Sequence, residues 1–224
     1  MMSQFLRNLI RKATTPILMG VIVSSSSLLA ACSDSDDDPV ADYVENLGEL
    51  LTGNDGVATH FRLDDGTVYE VVNNLSNLAP DSLYRVVGLY VLDNARRVRF
   101  ASLSQITSPR PVFMSSERVK EDLLDLVSAW KKPRYFNFVL RLKTGGNSHY
   151  LGFVDHGIEQ RTSGQRVWHL SLYHDQNDDP LYYSREVYAS CPLYHKADSL
   201  LPGRDSVYFS LQTFEGKILL KEAY

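Results

Sequence analysis

Along most of the chain, apolar and polar residues alternate in short runs separated by Gly, Pro, Asn and Asp. That two-residue period predicts strands. VATHFRL and TVYEVV flank Asp64, Asp65 and Gly66, where glycine accepts the positive φ of a tight hairpin. SLYRVVGLYVLD and RRVRFASLSQI meet at Asp93, Asn94 and Ala95. Gly88, inside the first of these, predicts a bulge or bend that lets the sheet curl. Four curled strands over residues 57–110 predict a small OB-like barrel.

Pro109 and Pro111 then fix an extended connection and bias their neighbours away from helix. Beyond it, Phe136, Phe138, Leu140 and Leu142 alternate in one run, and Trp168, Leu170 and Leu172 share a face of another. LYYSREVYAS supplies a further strand, and SVYFSLQTFEGKILLKEA folds back at Glu215 and Gly216. The spacing predicts an Ig-like antiparallel β-sandwich over residues 111–224.

Two stretches depart from the two-residue period. Tyr43, Leu47, Leu50 and Leu51 recur at helical spacing, with Gly53 placed for a left-handed stop. In SERVKEDLLDLVSAW, Val119, Leu123, Leu126, Val127 and Trp130 fall on one helical face, and Ser115 or Ser116 is available as a cap. The fold expected is all-β: a small OB-like barrel, then an Ig-like antiparallel sandwich, with short accessory helices.

The first 31 residues are of a different kind. Arg7, Arg11 and Lys12 precede the apolar run PILMGVIV, four serines and LLAA, the order of a secretory signal. The apolar part is too short and too serine-rich to cross a membrane. Leu29, Ala30, Ala31 and Cys32 resemble a bacterial lipobox, which implies cleavage between Ala31 and Cys32 and lipidation of Cys32. Two or more acyl chains hold a protein stably on a bilayer. The divisions expected are a signal peptide (1–31), a segment with the lipidated cysteine, an acidic tether and a short helix (32–56), the barrel and the sandwich. With Cys32 lipidated, Cys191 has no disulfide partner.

Charge sharpens this division. Residues 33–56 carry eight of the chain's 27 acids and no Lys or Arg. Without them, and without the three bases of the signal, 19 acids face 20 bases, so the folded part is nearly neutral. Ser33 to Asp38 are too polar and like-charged to collapse. They serve as a soluble spacer, or they resemble the surface-export signal of some Gram-negative lipoproteins.

Lipobox, acidic spacer, YRVVGLYVLD, VSAW, YFNFVLRL, LSLYHDQNDDP and SVYFSLQTFEGKILL, in this order, resemble the NigD-like lipoprotein family. The resemblance implies an N-terminal OB-type domain followed by a C-terminal β-sandwich, and an outer-membrane location in a Gram-negative bacterium. The family pattern has a His-Asn pair and a Gly-Asp turn where this chain has His174-Asp175 and Asp178-Asp179-Pro180.

Candidate chemistry is sparse. Asp175, Asn177, Asp179 and Glu186 fall at the first, third, fifth and twelfth places of a calcium loop, but Pro180 stands where the turn needs glycine. Of His60, His149, His156, His169, His174 and His195, no two show zinc-peptidase spacing, and His169 and His174 project to opposite faces of a strand. Cys191 and His195 are the only thiol and imidazole close in sequence, with no third group to orient them. No nucleophile elbow, phosphate loop or dinucleotide fingerprint occurs. Arg85, Arg97, Arg99 and Tyr90, with neighbouring Arg96, Tyr84 and Phe100, form a candidate ligand face on the barrel.

The function expected is a non-enzymatic, lipid-anchored binding or accessory role. Its partners would be the membrane, through the lipid, and another envelope protein, a glycan or a peptide, with no nucleic acid and no cofactor. One alternative is a metal-binding module or metal-dependent hydrolase around His174, Asp175 and Asp179. Another is a bacteriocin-associated immunity or accessory lipoprotein.

Overall fold

Strand β1 (Val44–Thr52) replaces the first expected helix. Its burial explains the misleading spacing: Leu47, Gly48, Glu49 and Leu50 are buried in succession, because one face of the strand lines the barrel and the other lies under the sandwich. A strand covered on both faces loses its alternation. Residues 42–224 are described by the structure, a computed structural model. The signal segment, Ala31, Cys32 and the acidic run lie outside the described residues.

With β2 (Ala58–Leu63), β3 (Val68–Val71), β4 (Leu83–Leu92) and β5 (Arg97–Gln105), β1 closes a barrel in the order β1-β2-β3-β5-β4. The closing β3/β5 pair is parallel and the others are antiparallel. This is OB-like connectivity, as expected, but the barrel begins at Val44 and not at 57. Phe61, Tyr90 and Phe100 fill it edge to face, with centroids 5.0–5.8 Å apart. The Phe61 ring leaves no room for a side chain opposite it. A Cβ on Gly48 would lie 2.3 Å from that ring, so the strand must carry glycine there. The bend expected at Gly88 is present as a register shift between Leu89 and Tyr90.

The sandwich has a three-stranded sheet, β6 (Asp125–Lys131), β7 (Tyr135–Thr144) and β10 (Tyr183–Pro192), in the order β10-β7-β6. Facing it is a four-stranded sheet of β8 (Tyr150–Gln160), β9 (Arg166–Asp175), β11 (Ser206–Thr213) and β12 (Gly216–Ala223), in the order β12-β11-β9-β8. The β9/β11 pair is parallel, a departure from the fully antiparallel expectation. Phe136, Phe138, Phe153, Trp168 and Phe209 form the centre of its core, with Phe138 and Phe209 centroids 4.6 Å apart.

The second expected helix is also absent. Residues 115–130 hold one 3-10 turn (Ser116–Arg118), an extended segment and β6. That segment bridges Glu121 to His174 and Leu124 to Thr213. Leu124 is fully buried while Leu123 and Val127 are exposed, so pairing with strand ends overrides the helical stripe.

The outward face of β7 meets the barrel, and the joint is polar. Glu49 accepts from the Tyr135 hydroxyl at 2.6 Å and from Arg134, and it pairs with Arg62. Arg85 donates to both oxygens of Asp64, to Asn137 and to Ser190, with its guanidinium 3.9 Å from the centroid of the Tyr135 ring. Barrel and sandwich fall within one compact unit, Tyr43–Tyr224.

Candidate functional site

The loops at one end of the sandwich bring two of the six histidines together with a buried carboxylate. His174 lies near the end of β9, His149 lies just before β8, and Asp179 follows the turn after β9. That turn is tight, with Asn177 and Asp178 both left-handed at φ 56 and 55. It aims Asp179 inward and leaves Asp175 outside, bonded to Lys120 at 2.9 Å.

A linear relay results. The Asp122 carbonyl lies 2.8 Å from His174 Nδ1, His174 Nε2 lies 2.9 Å from His149 Nδ1, and His149 Nε2 lies 3.1 Å from Asp179 Oδ2. All three side chains are buried. Asp179 also accepts from Thr144 Oγ1 and from the backbone N–H groups of Gly145 and Asn147. A Cβ on Gly145 would lie 3.0 Å from Pro180, so the loop needs a small residue where it wraps the carboxylate.

Both ends of the relay are oxygens that only accept, so its protons can be counted. His174 Nδ1 and His149 Nε2 must each carry one, and a third lies between His174 Nε2 and His149 Nδ1. Three protons on four ring nitrogens give the two rings one positive charge, set against Asp179. Burial pushes His174 below the usual histidine range. Burial also pushes Asp179 up, but the bonds from Thr144, Gly145, Asn147 and His149 outweigh it and hold the carboxyl far below the usual range.

The pH dependence follows in sign. Both groups have folded values below their unfolded ones, so each contribution is present above the unfolded value and is lost as pH falls. The unfolding temperature is expected to decline below about pH 6.5, through His174, and more steeply below about pH 4, through Asp179 and the similarly depressed Asp205. Calorimetry between neutral pH and pH 3 reads this. A rise on acidification from pH 6.5 to 5 would contradict it.

The calcium-loop residues do not converge. Asp175 is taken by Lys120 and the Asn177 N–H, Asp179 points into the relay, and Glu186 pairs with Arg141 on the outside of β10. Among the described residues, no group of three His, Cys, Asp or Glu side chains could hold a metal ion. The residues of the expected barrel face also separate. Arg85 is buried in the joint with the sandwich, and Tyr90 lies in the barrel core. Arg97 is exposed and paired with Asp93, and Arg99 stands exposed nearby. Cys191 is fully buried, with its thiol pushed well up by that burial, whereas His195 is exposed on a separate turn. His156 bonds Ser171, and His169 bonds Glu159.

Around the relay the surface is aromatic. Tyr150, Leu181, Tyr182 and Tyr183 are all exposed, Tyr182 by 79%. Beside them, Val119, Lys120, Glu121, Asp122, Asp175, Gln176 and Asp178 line an open groove of about 470 Å³. Within this end, the roles of His149 and of residues 181–183 escaped the sequence reading. The run LYY directly after the DDP turn was the available signal, since apolar residues that follow a tight turn have few places to hide.

The NigD-like C-terminal beta sandwich domain matches residues 107–222. Comparison with curated proteins gives no match. Among solved structures, a NigD-like immunity protein from Bacteroides caccae is 28% identical with a TM-score of 0.64, covering 82% of this chain and 92% of that one. A protein described as toxin-related from Parabacteroides distasonis is 18% identical with a TM-score of 0.64, over 82% and 93%. A protein described as a lipoprotein from Bacteroides fragilis is 10% identical with a TM-score of 0.60, over 82% and 98%. The last two likenesses bear on the fold alone.

Proposed function

Because the chain belongs to the NigD-like family, we propose that it is a lipid-anchored protein of the cell envelope that acts by binding, with the loop end of the sandwich as its working surface. One observation carries this reading: His174, His149 and Asp179, the buried titratable groups at that end, are spent on one another, while Tyr150, Tyr182 and Tyr183 stand exposed beside them. No buried side-chain polar atom among the described residues lacks a partner. A general base needs a free lone pair within reach of a substrate. The relay has none, because its four ring nitrogens and its carboxylate are all engaged. Tyrosines supply large rigid contact area at low entropic cost, as binding loops require.

The anchor is supported by the lipobox at Leu29 to Cys32, and an outer-membrane location by the acidic run behind it. Cys32→Ala is expected to move the protein from the membrane pellet to the soluble fraction. Protease added to intact cells is expected to remove the wild-type domain if it faces outward. Persistence of the variant in the pellet after carbonate washing would defeat the anchor.

An immunity or accessory role toward a secreted antibacterial peptide is the second reading, favoured by the name of the Bacteroides caccae structure. Its test is survival of a sensitive strain that expresses the chain. Equal killing with and without expression would dismiss it.

A further inference from the structure

Strand β10 is the outer strand of its sheet, and its first half has no neighbour on one side. Its register with β7 runs from Tyr183 opposite Thr144 to Pro192 opposite Tyr135 without a shift, so its backbone groups point alternately toward β7 and away from it. One bond fixes which residues point away. The Ser190 N–H donates to the Thr107 carbonyl at 2.9 Å, outside the sheet. Ser184 and Glu186 share that parity, and Thr107 reaches only the Ala189 end. Among the described residues, nothing bonds the N–H of either one.

Residues 181–186 are exposed throughout. The side chains flanking this edge have unequal needs. On the outer face, Glu186 is satisfied by Arg141 at 2.8 Å, and Tyr188 donates to Glu45 at 3.0 Å. On the inner face, Val187 packs against the core, Tyr183 stands at the rim, and Arg185 between them has no ion-pair partner among the described residues. Natural sheets commonly blunt such an edge with charged side chains, proline or a bulge; Tyr183–Val187 has no proline and no bulge, Glu186 is neutralised by Arg141, and Arg185 is its one charge left to be met by an acid.

We propose that this edge takes an extended peptide as an added strand of about five residues, with an acidic side chain set against Arg185 and apolar ones beside Tyr183 and Val187. The proposal rests on the binding role above and names its site and ligand class. A second copy of the chain is a poorer occupant. Five paired residues form a contact only about 17 Å long, too narrow a strip by itself to bury the roughly 800 Å² per partner of a stable association.

The test uses the full chain in detergent, immobilised and panned with a random heptapeptide library. Enriched peptides are expected to alternate apolar and polar residues around an acid. Their binding is expected to weaken about tenfold or more in Glu186→Pro, which removes an outward N–H and leaves the bonds to β7 intact, and in Arg185→Glu, but not in Thr162→Ala, in the exposed β8–β9 turn at the opposite end of the sandwich. Ser184→Pro is the second backbone variant should Glu186→Pro fold poorly. No enrichment, or peptides that survive these substitutions, would overturn the proposal. So would a dimer in sedimentation that Glu186→Pro dissolves, or peptide binding that emerges only when Asp34, Asp36, Asp37 and Asp38 are changed to Asn. A partner captured in cells through residue 182 that persists in Glu186→Pro would remove the edge and leave the binding role standing.

Discussion

Arg85→Ala is expected to lower the unfolding free energy by about 3 to 5 kcal/mol, the usual cost of removing one member of a buried ion pair. The guanidinium serves four partners: both oxygens of Asp64, Asn137 and Ser190 by hydrogen bonds, and the face of Tyr135. Without it, Asp64 keeps the Asn137 amide and loses its only cation among the described residues. Asp64 belongs to the barrel hairpin and Asn137 to the sandwich, so the loss falls on the joint between them. Trp130 and Trp168 both lie in the sandwich, and the barrel has no tryptophan. Urea unfolding followed by tryptophan fluorescence therefore reads the effect of a barrel substitution on the sandwich. An unchanged midpoint would show that the two fold independently. Arg85→Met with Asp64→Leu should regain most of the loss, because a buried pair contributes little over apolar side chains of similar volume.

Glu49→Ala is expected to cost about 3 kcal/mol or more by the same reasoning. Burial pushes the Glu49 carboxyl up, and the Tyr135 hydroxyl, Arg62 and Arg134 together bring it below its ordinary value. The carboxylate is thus the single acceptor that gathers a hydroxyl and two cations, from barrel and sandwich alike. Its removal leaves two guanidinium groups facing each other across the joint. Trypsin should then cut at Arg118, exposed in the segment that joins β5 to β6, faster than in the parent chain. Cleavage at the parental rate would contradict this account of the joint.

The same joint explains why the sequence misled at β1. The helical spacing of Tyr43, Leu47, Leu50 and Leu51 is the mark of a strand buried on both faces, one against Phe61 and the other against Tyr135. Burial on the second face depends on residues some 85 positions away, which no local pattern carries. Val119 to Trp130 misled for a related reason, since the ends of β9 and β11 hold that segment extended. The hairpins at Gly66 and Gly216 and the alternation of Phe136 to Leu142 were legible, because turn chemistry and a one-sided core are local signals.

The site divided in the same way. His174 drew notice from its neighbours in sequence, but its partner His149 lies 25 residues away and only the fold brings them together. Asp179 was read as a ligand from its spacing. Its oxygens turn instead toward Thr144 and the Gly145 loop, which the pair of glycines hinted at without naming what they wrapped.

The central claim is that the chain works through the aromatic loop end of its sandwich and not through its barrel. A photo-reactive amino acid placed at Tyr182 in the full chain, with the same replacement at Arg99 on the barrel, tests it in intact cells. The account predicts a discrete cross-linked species from position 182 and none from position 99, both proteins being present in the membrane fraction in equal amount. Cross-linking from position 99 with none from position 182 would contradict it.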